Sequence, residues 1–295
     1  MENAKRLCGL IGNPLGHSLS PVIHEVFCKE LGIDMSYLLF EMDKAELKSA
    51  IKGLQSLGAY GCNVTVPYKI DCMKCVDEVD EAAKRIGAIN TIVNRNGKII
   101  GYNTDVTGFM RSLANNCISI KDQNVVMIGA GGVAGAVLDA LVSLEAKNIL
   151  IVNRSVAKAK NLSGKYPDQS IFSCAIDDDF CAYMDVVLRN HDVDSYDKNK
   201  KWIAVQCTSV GMHPNVKDTP ITTPAFYNRV RVGVDVIYNP GNTEFLKRIT
   251  KSGGHAVNGL DMLIYQAADA FELWTGQEVT NQVANKAIKK VGSLL

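Results

Sequence analysis

Apolar positions along this chain fall into two periods. Short runs rich in β-branched residues read as buried strands, and stretches with an apolar residue every third or fourth position read as helices. The two kinds alternate, which predicts an α/β protein. Residues 7–11 read as a first strand, ended by Gly12-Asn13-Pro14. Ser20 followed by Pro21 reads as an N-cap and first helical position, opening a helix to about Leu31 that Gly32 stops. Residues 35–40 read as a strand, 44–57 as a helix ending near Gly58, and 61–66 as a strand closed by Pro67. The alternation continues through 80–86. Strands at 87–93 and 99–102 then flank a turn at 94–97, as in a hairpin. A helix at 107–113 leads into the polar residues 115–123.

The strongest pattern follows. Val125-Val126-Met127-Ile128 is an apolar run of the parallel-strand type. It enters Gly129-Ala130-Gly131-Gly132-Val133-Ala134, which fits G-x-G-x-x-G/A with Ala134 in the third place. Gly129 permits a tight turn, Gly131 has no side chain to hold a pyrophosphate off the backbone, and Ala134 lets a helix pack close to the strand. Apolar residues at 137, 138, 141, 142 and 144 continue at helical spacing, and 149–152 is a second strand. Strand, glycine turn, helix and strand in this order predict a dinucleotide-binding unit, with the diphosphate at the helix N-terminus. An NAD binder usually carries Asp or Glu after the second strand for the ribose 2′-hydroxyl. Here the residues are Asn153, Arg154 and Ser155, with Lys158 one turn on. A carboxylate would repel a 2′-phosphate and a guanidinium can grip one, so the cofactor expected is NADP.

Residues 171–201 have no clear period, and no element is placed there. Residues 202–207 and 232–237 read as strands, 243–252 as a helix, 255–257 as a short strand, and 259–271 and the stretch from about Asn281 as closing helices. Two polar groups stand out in the first half. Ser18 and Ser20 place two hydroxyls beside a helix start, and Lys69 lies just past a strand's C-terminal end, where α/β sheets keep their sites.

Composition narrows the function classes. Lys plus Arg total 32 against 31 Asp plus Glu, a balance that gives no electrostatic argument for nucleic acid or an acidic membrane. No apolar run approaches the roughly 18 residues of a membrane helix, and residues 7–11 are too short for a signal peptide. The nine cysteines are scattered, with Cys8, Cys62 and Cys207 in apolar surroundings, so a reducing cytoplasm is expected. Cys72-Met73-Lys74-Cys75 is a lone C-x-x-C with neither a second pair nor a His at ligand spacing, and no metal is expected.

Taken together the motifs resemble the shikimate dehydrogenase family. They are Gly12-Asn13-Pro14 with His17-Ser18-Leu19-Ser20-Pro21, Asn63-Val64-Thr65-Val66-Pro67-Tyr68-Lys69, Gly87-Ala88-Ile89-Asn90-Thr91, Gly101-Tyr102-Asn103-Thr104-Asp105, the glycine turn, Asn153-Arg154-Ser155, Thr208-Ser209-Val210-Gly211-Met212, and Gly259-Leu260-Asp261-Met262-Leu263 with Gln266. They run in family order from Leu10 to about Trp274. The resemblance implies an N-terminal α/β substrate domain (1–104), a Rossmann-type NADP domain (105–258) and C-terminal helices (259–295) returning to the first, with a cleft between the domains. It implies that Ser18 and Ser20 hold a substrate carboxylate. Thr65, Asn90, Tyr238 and Gln266 would hold ring hydroxyls or the carboxylate edge. Lys69 and Asp105 would be the catalytic pair, and Val236 and Gly259 would lie beside the nicotinamide. The reaction implied is reversible reduction of 3-dehydroshikimate to shikimate by NADPH, in a monomer or homodimer. Four positions depart from the family pattern: Gln206-Cys207 for Asn-Ala, Lys158 for Arg, and Val133 for Ala. The rival readings are a relative oxidising quinate as well as shikimate, often with NAD, and a non-catalytic NADP- or metabolite-sensing module on the same fold.

Overall fold

A computed structural model describes residues 6–177, 179–191 and 202–295. The chain forms two compact units, one of Met1–Arg111 with Met262–Leu294 and one of Ser112–Asp261.

The first unit runs β1 (Arg6–Gly12), α1 (Ser20–Leu31), β2 (Met35–Glu41), α2 (Leu47–Ser56), β3 (Gly61–Val64), β4 (Glu78–Val79), α3 (Glu81–Ile86), β5 (Thr91–Arg95), β6 (Lys98–Tyr102) and α4 (Asp105–Asn115). Its strands form one sheet in the order β2-β1-β3-β5-β6-β4. β1 is parallel to β2 and β3, while β5 is antiparallel to β3 and β6. The C-terminal ends of β1, β3 and β6 and the N-terminal end of β5 therefore share one sheet edge.

Two boundaries differ from the sequence expectation. Ser20 is the first residue of α1, and the cap position falls on Leu19, which makes no side-chain cap bond. Ser18 supplies the local contact instead, its Oγ accepting from the Ser20 N–H at 3.3 Å. Gly87 does not open a strand. It closes α3 in the left-handed conformation, φ 79°, as glycine can without steric cost. The residues after it form a turn whose N–H groups bond neighbouring segments, Ile89 to the Lys69 carbonyl and Asn90 to the Tyr102 carbonyl, both at 2.9 Å.

The second unit runs β7 (Asn124–Ile128), α5 (Ala134–Ser143), β8 (Asn148–Asn153), α6 (Val156–Ser163), β9 (Ile171–Ala175), α7 (Phe180–His191), β10 (Trp202–Gln206), α8 (Pro224–Tyr227), β11 (Val230–Asp235), α9 (Glu244–Lys251) and β12 (His255–Val257). All six strands are parallel, in the order β12-β11-β10-β7-β8-β9. That is the strand order of a dinucleotide-binding Rossmann sheet. β7 and β10 are buried along their whole length, as strands covered on both faces must be. Residues 171–201, read as unpatterned, contain β9 and α7 as far as they are described; 178 and 192–201 lie outside the described residues. β9 is an edge strand, half-buried throughout, so it lacks a clean period. α7 does carry a stripe, Phe180, Cys181, Met184, Val187 and Leu188, all packed in the core, but the acids around it obscured the pattern.

The closing helices α10 (Leu260–Thr275) and α11 (Asn281–Gly292) pack from Met262 onward into the first unit. Trp274 Nε1 donates to the Ile92 carbonyl at 2.9 Å. Arg111 on α4 bonds Asp269, Glu272 at 3.1 Å and the Val279 carbonyl at 2.8 Å, with Tyr265 under its guanidinium.

His24 is the odd member of this unit's core. It is fully buried, stacks on Tyr37 with ring centroids 4.1 Å apart, and among the described residues neither ring nitrogen has a hydrogen-bond partner. Burial pushes its pKa down to about 3. Folded His24 thus stays neutral, while the unfolded chain takes up a proton below about pH 6.5. Stability is unaffected above that pH and is lost as pH falls toward 3, by about 2 kcal/mol at pH 5. Urea unfolding at pH 7 and pH 5 checks this. His24→Phe should lose about 2 kcal/mol less than the wild type over that interval, and an identical pH slope in both proteins would refute the assignment.

Candidate active site

Four segments meet at the shared edge of the first sheet. The loop after β3 carries Thr65 and Lys69, and the Thr65 N–H bonds the Ile11 carbonyl at 2.9 Å. Tyr68 anchors that loop, its buried hydroxyl donating to the Met42 carbonyl at 2.6 Å. The loop before β5 carries Asn90, whose carbonyl accepts from the Val64 N–H at 2.7 Å. The third segment, Asn103-Thr104-Asp105, leads from β6 into α4. Asn103 braces it by donating to the Ala88 carbonyl at 3.0 Å and accepting the Asp105 N–H at 3.1 Å. The fourth follows β1 and carries Ser18 and Ser20, both half-buried.

Lys69 Nζ lies 2.6 Å from Asp105 Oδ2, and Asn90 Nδ2 donates to the other oxygen, Oδ1, at 2.9 Å. The pair is largely shielded, the lysine side chain 22% exposed and the aspartate 11%. Asp105 also opens α4, where a carboxylate meets the positive end of the helix dipole. This is a cation held by a carboxylate that is itself anchored from the other side. Such a pair can hold and hand over a proton at a polar atom brought to the lysine.

Gln266 lies on α10, where its backbone comes close to α4 at Gly108. Its side-chain Nε2 donates to the Leu263 carbonyl at 2.8 Å, which leaves the amide oxygen for another partner. Tyr238 belongs to the second unit, on the segment after β11.

In the second unit the glycine turn lies at the switch point between β7 and β10. Gly129 has φ +105°, and a Cβ there would stand 2.6 Å from Thr208 Cγ2, so the turn requires glycine. A Cβ on Gly131 or Gly132 would meet nothing within 4 Å, and both are exposed. That is the open backbone surface a diphosphate needs, beside the half-buried Ala130 and Val133 at the start of α5. At the end of β8, Asn153 Nδ2 donates to the Ser155 carbonyl at 2.9 Å. Arg154, Ser155 and Lys158 are exposed, and among the described residues neither cation is paired with a carboxylate. Gly259 and Val236 are in backbone contact. A Cβ on Gly259 would fall 2.1 Å from the Val236 carbonyl oxygen, and the Gly259 N–H bonds the Ile237 carbonyl at 2.9 Å. These residues fit an NADP-type dinucleotide.

The supporting residues escaped the sequence reading. Asp235, buried at the end of β11, accepts from the Ile237 N–H at 2.9 Å and the Thr243 hydroxyl at 2.7 Å, which fixes the segment bearing Val236 and Tyr238. Burial pushes its carboxyl up to about 7. Gln206, the departure from the family's Asn, is buried and braces the turn after β10, bonding the Thr208 N–H and the Val210 carbonyl. A polar residue inside an apolar strand was the available signal, as at Asn63 and Asp235.

Comparison with known proteins decides the family. Residues 10–92 match the shikimate dehydrogenase substrate binding domain, 112–195 match shikimate / quinate 5-dehydrogenase, and 259–289 match the shikimate 5'-dehydrogenase C-terminal domain. The shikimate dehydrogenase (NADP(+)) of Bacillus cytotoxicus is 40% identical over 98% of this chain and 99% of its own length. The chain belongs to the shikimate dehydrogenase family. It is accordingly an oxidoreductase of the class acting on CH–OH groups. Solved relatives include a shikimate dehydrogenase in complex with NADP+, 38% identical with TM-score 0.81, covering 97% of this chain and 96% of that one. Another is the Listeria monocytogenes shikimate 5-dehydrogenase in complex with shikimate and NAD, 32% identical with TM-score 0.83 over the same shares.

The approach of α10 to α4 can be tested through Gly108. A Cβ there would stand 2.6 Å from the Gln266 backbone nitrogen. Gly108→Ala should therefore destabilise by about 1–3 kcal/mol. Gly53→Ala, in α2 where a Cβ meets nothing within 4 Å, should instead stabilise by up to about 1 kcal/mol. Chemical denaturation of both variants reads the difference, and equal shifts would mean that the helices part without cost.

Proposed function

We propose that this chain is an NADP-dependent shikimate dehydrogenase catalysing the reversible reduction of 3-dehydroshikimate to shikimate, a cytoplasmic step of aromatic amino-acid and chorismate biosynthesis. The observation that carries the reading is the shielded Lys69–Asp105 pair, 2.6 Å apart, with Asn90 on the other carboxylate oxygen. In this reading the substrate sits on residues 1–104 with the helices of 259–295, and NADP on residues 105–258. Ser18 and Ser20 hold the substrate carboxylate by hydroxyl donation. Thr65, Asn90, Tyr238 and Gln266 hold the ring hydroxyls and the carboxylate edge.

Gly129, Ala130, Gly131, Gly132 and Val133 would hold the cofactor's diphosphate. Asn153, Arg154, Ser155 and Lys158 would hold its 2′-phosphate, and Val236 and Gly259 its nicotinamide. When bound, NADPH supplies a hydride equivalent to the carbonyl carbon. Lys69 donates a proton from Nζ to the substrate oxygen as the carbonyl becomes an alcohol, and takes it back in the reverse direction. Before the transfer its positive charge stabilises the negative charge building on that oxygen. Asp105 keeps the ammonium in place.

A spectrophotometric assay offering shikimate and quinate with NADP and NAD tests the assignment. Shikimate with NADP should give the highest kcat/KM, whereas quinate with NAD coming first would select the rival. In the same assay Arg154→Ala should raise the KM for NADP roughly ten- to a hundred-fold, the worth of one charge-assisted bond, and hardly change that for NAD. An unaltered NADP KM would make Arg154 part of a solvated helix start rather than a cofactor ligand.

Lys69→Ala should lower kcat by about 10²–10⁴, with a much smaller change in shikimate KM. Asp105→Asn should lower it too. The double variant should be little worse than Lys69→Ala alone, because the two groups act as a unit. Near-normal kcat in a Lys69→Ala protein that melts like the wild type would end the mechanism.

A further inference from the structure

A buried chain of hydrogen bonds runs beneath the proposed site, through Tyr37, Asn63 and Thr91, which bind neither substrate nor cofactor in the reading above, to Asn90 and Asp105. Tyr37 Oη lies 2.8 Å from Asn63 Oδ1. Asn63 Nδ2 lies 3.0 Å from Thr91 Oγ1 and 3.3 Å from the Asn90 carbonyl. Thr91 Oγ1 lies 3.0 Å from Asn90 Oδ1, and Asn90 Nδ2 lies 2.9 Å from Asp105 Oδ1. Tyr37, Asn63, Thr91, Asn90 and Asp105 are all buried, so none of these groups has bulk water as an alternative partner.

Two backbone groups dictate which way every bond points. The Asn90 carbonyl can only accept, so the Asn63 atom facing it is the amide nitrogen, and Tyr37 must donate to the remaining oxygen. The Thr104 N–H can only donate, so the Asn90 atom 2.7 Å from it is Oδ1. Thr91 receives from Asn63, so its single proton goes to Asn90 Oδ1 at 3.0 Å or to the Thr104 hydroxyl at 3.2 Å, which itself lies 3.2 Å from Asn90 Oδ1; either route ends on Asn90. Donation therefore runs one way, from Tyr37 through Asn63, Thr91 and Asn90 to the Asp105 carboxylate.

We propose that Thr91 and Asn63 are positioning residues, and that the one-way chain Tyr37–Asn63–Thr91–Asn90 holds Asp105 Oδ1 so that Oδ2 meets Lys69. This rests on the reading of Lys69 and Asp105 as the catalytic pair. Without the Thr91 hydroxyl, the Asn90 side chain keeps its bonds to the Thr104 N–H and hydroxyl but loses its side-chain link to Asn63, which then reaches only the Asn90 backbone carbonyl, and the carboxylate is less firmly held against the lysine. A small displacement at a reacting group is costly in rate.

The test compares two substitutions at one position. Thr91→Val keeps the shape and removes the hydroxyl, whereas Thr91→Ser keeps the hydroxyl and removes a methyl. Thr91→Val should lower kcat with shikimate about tenfold and leave the KM for NADP unchanged. Thr91→Ser should stay within about twofold of wild-type kcat, even where it melts as early as Thr91→Val. Tyr37→Phe, which cuts the chain at its far end and retains the ring, should lower kcat in the same sense and reads the chain if Thr91→Val does not fold. Wild-type kcat in folded Thr91→Val or Tyr37→Phe would overturn the proposal. Equal kcat losses in the Val and Ser variants would do so as well, since that is what a packing role predicts. Lys69→Ala run alongside separates the two levels. If it is inactive while Thr91→Val is normal, only the positioning chain fails, and if it is fully active both fail.

Discussion

Thr104 N–H and Asn90 Oδ1 lie 2.7 Å apart, and the arrangement at the first sheet's edge depends on that contact. It leaves the Asn90 side-chain amide one orientation, in which its nitrogen faces Asp105. A turned amide would set an oxygen against a carboxylate oxygen inside the protein, where water cannot relieve the repulsion. The contact forms because β5 and β6 are antiparallel neighbours, which places the residue before β5 beside the residues after β6. The charged pair thus owes its geometry to sheet pairing that begins several residues away.

Partial shielding separates this pair from the open surface pairs of the chain. Lys84–Glu81 and Lys121–Glu145 are open to solvent, their side chains more than half exposed. Pairs of that kind contribute little, because water screens them and their side chains lose freedom in making them. Lys69 and Asp105 lose less of their attraction to solvent, and Asn90 takes up the carboxylate oxygen that Lys69 does not. Arg111 works on the same principle at the other end of α4, where several acceptors converge on one guanidinium and fasten α10 to α4. The helix that begins at Asp105 is held at both ends by buried or half-buried polar groups.

In the second unit the governing constraint is close approach of backbone to backbone. Gly129 against Thr208 and Gly259 against the Val236 carbonyl leave no room for a Cβ. Gly131 and Gly132 are glycine for the opposite reason, since open space there is what an anionic ligand requires. Buried polar side chains, Asp235 and Gln206, then stiffen the strand ends that carry these contacts.

Local pattern determined a great deal by itself. The glycine turn between two apolar runs specified a Rossmann unit, because each glycine answers a steric demand visible within six residues. Asn153-Arg154 where an acid would select NAD pointed to NADP through charge alone. Most strands and helices were legible too, since burial on one face or two imposes a period. β9 carries no clean period because an edge strand is only half-buried, and Gly87 is ambiguous in sequence because a helix stop and a strand start look alike without the φ angle. The juxtapositions were decided by tertiary structure only. Lys69 and Asp105 are 36 residues apart, and nothing local places their charges in contact. Asn63, Thr91 and Thr104 carried no signal beyond being polar within or beside apolar strands. A hydrogen bond depends on distance and direction between groups far apart in the chain, and those come into being only when the sheet closes around them.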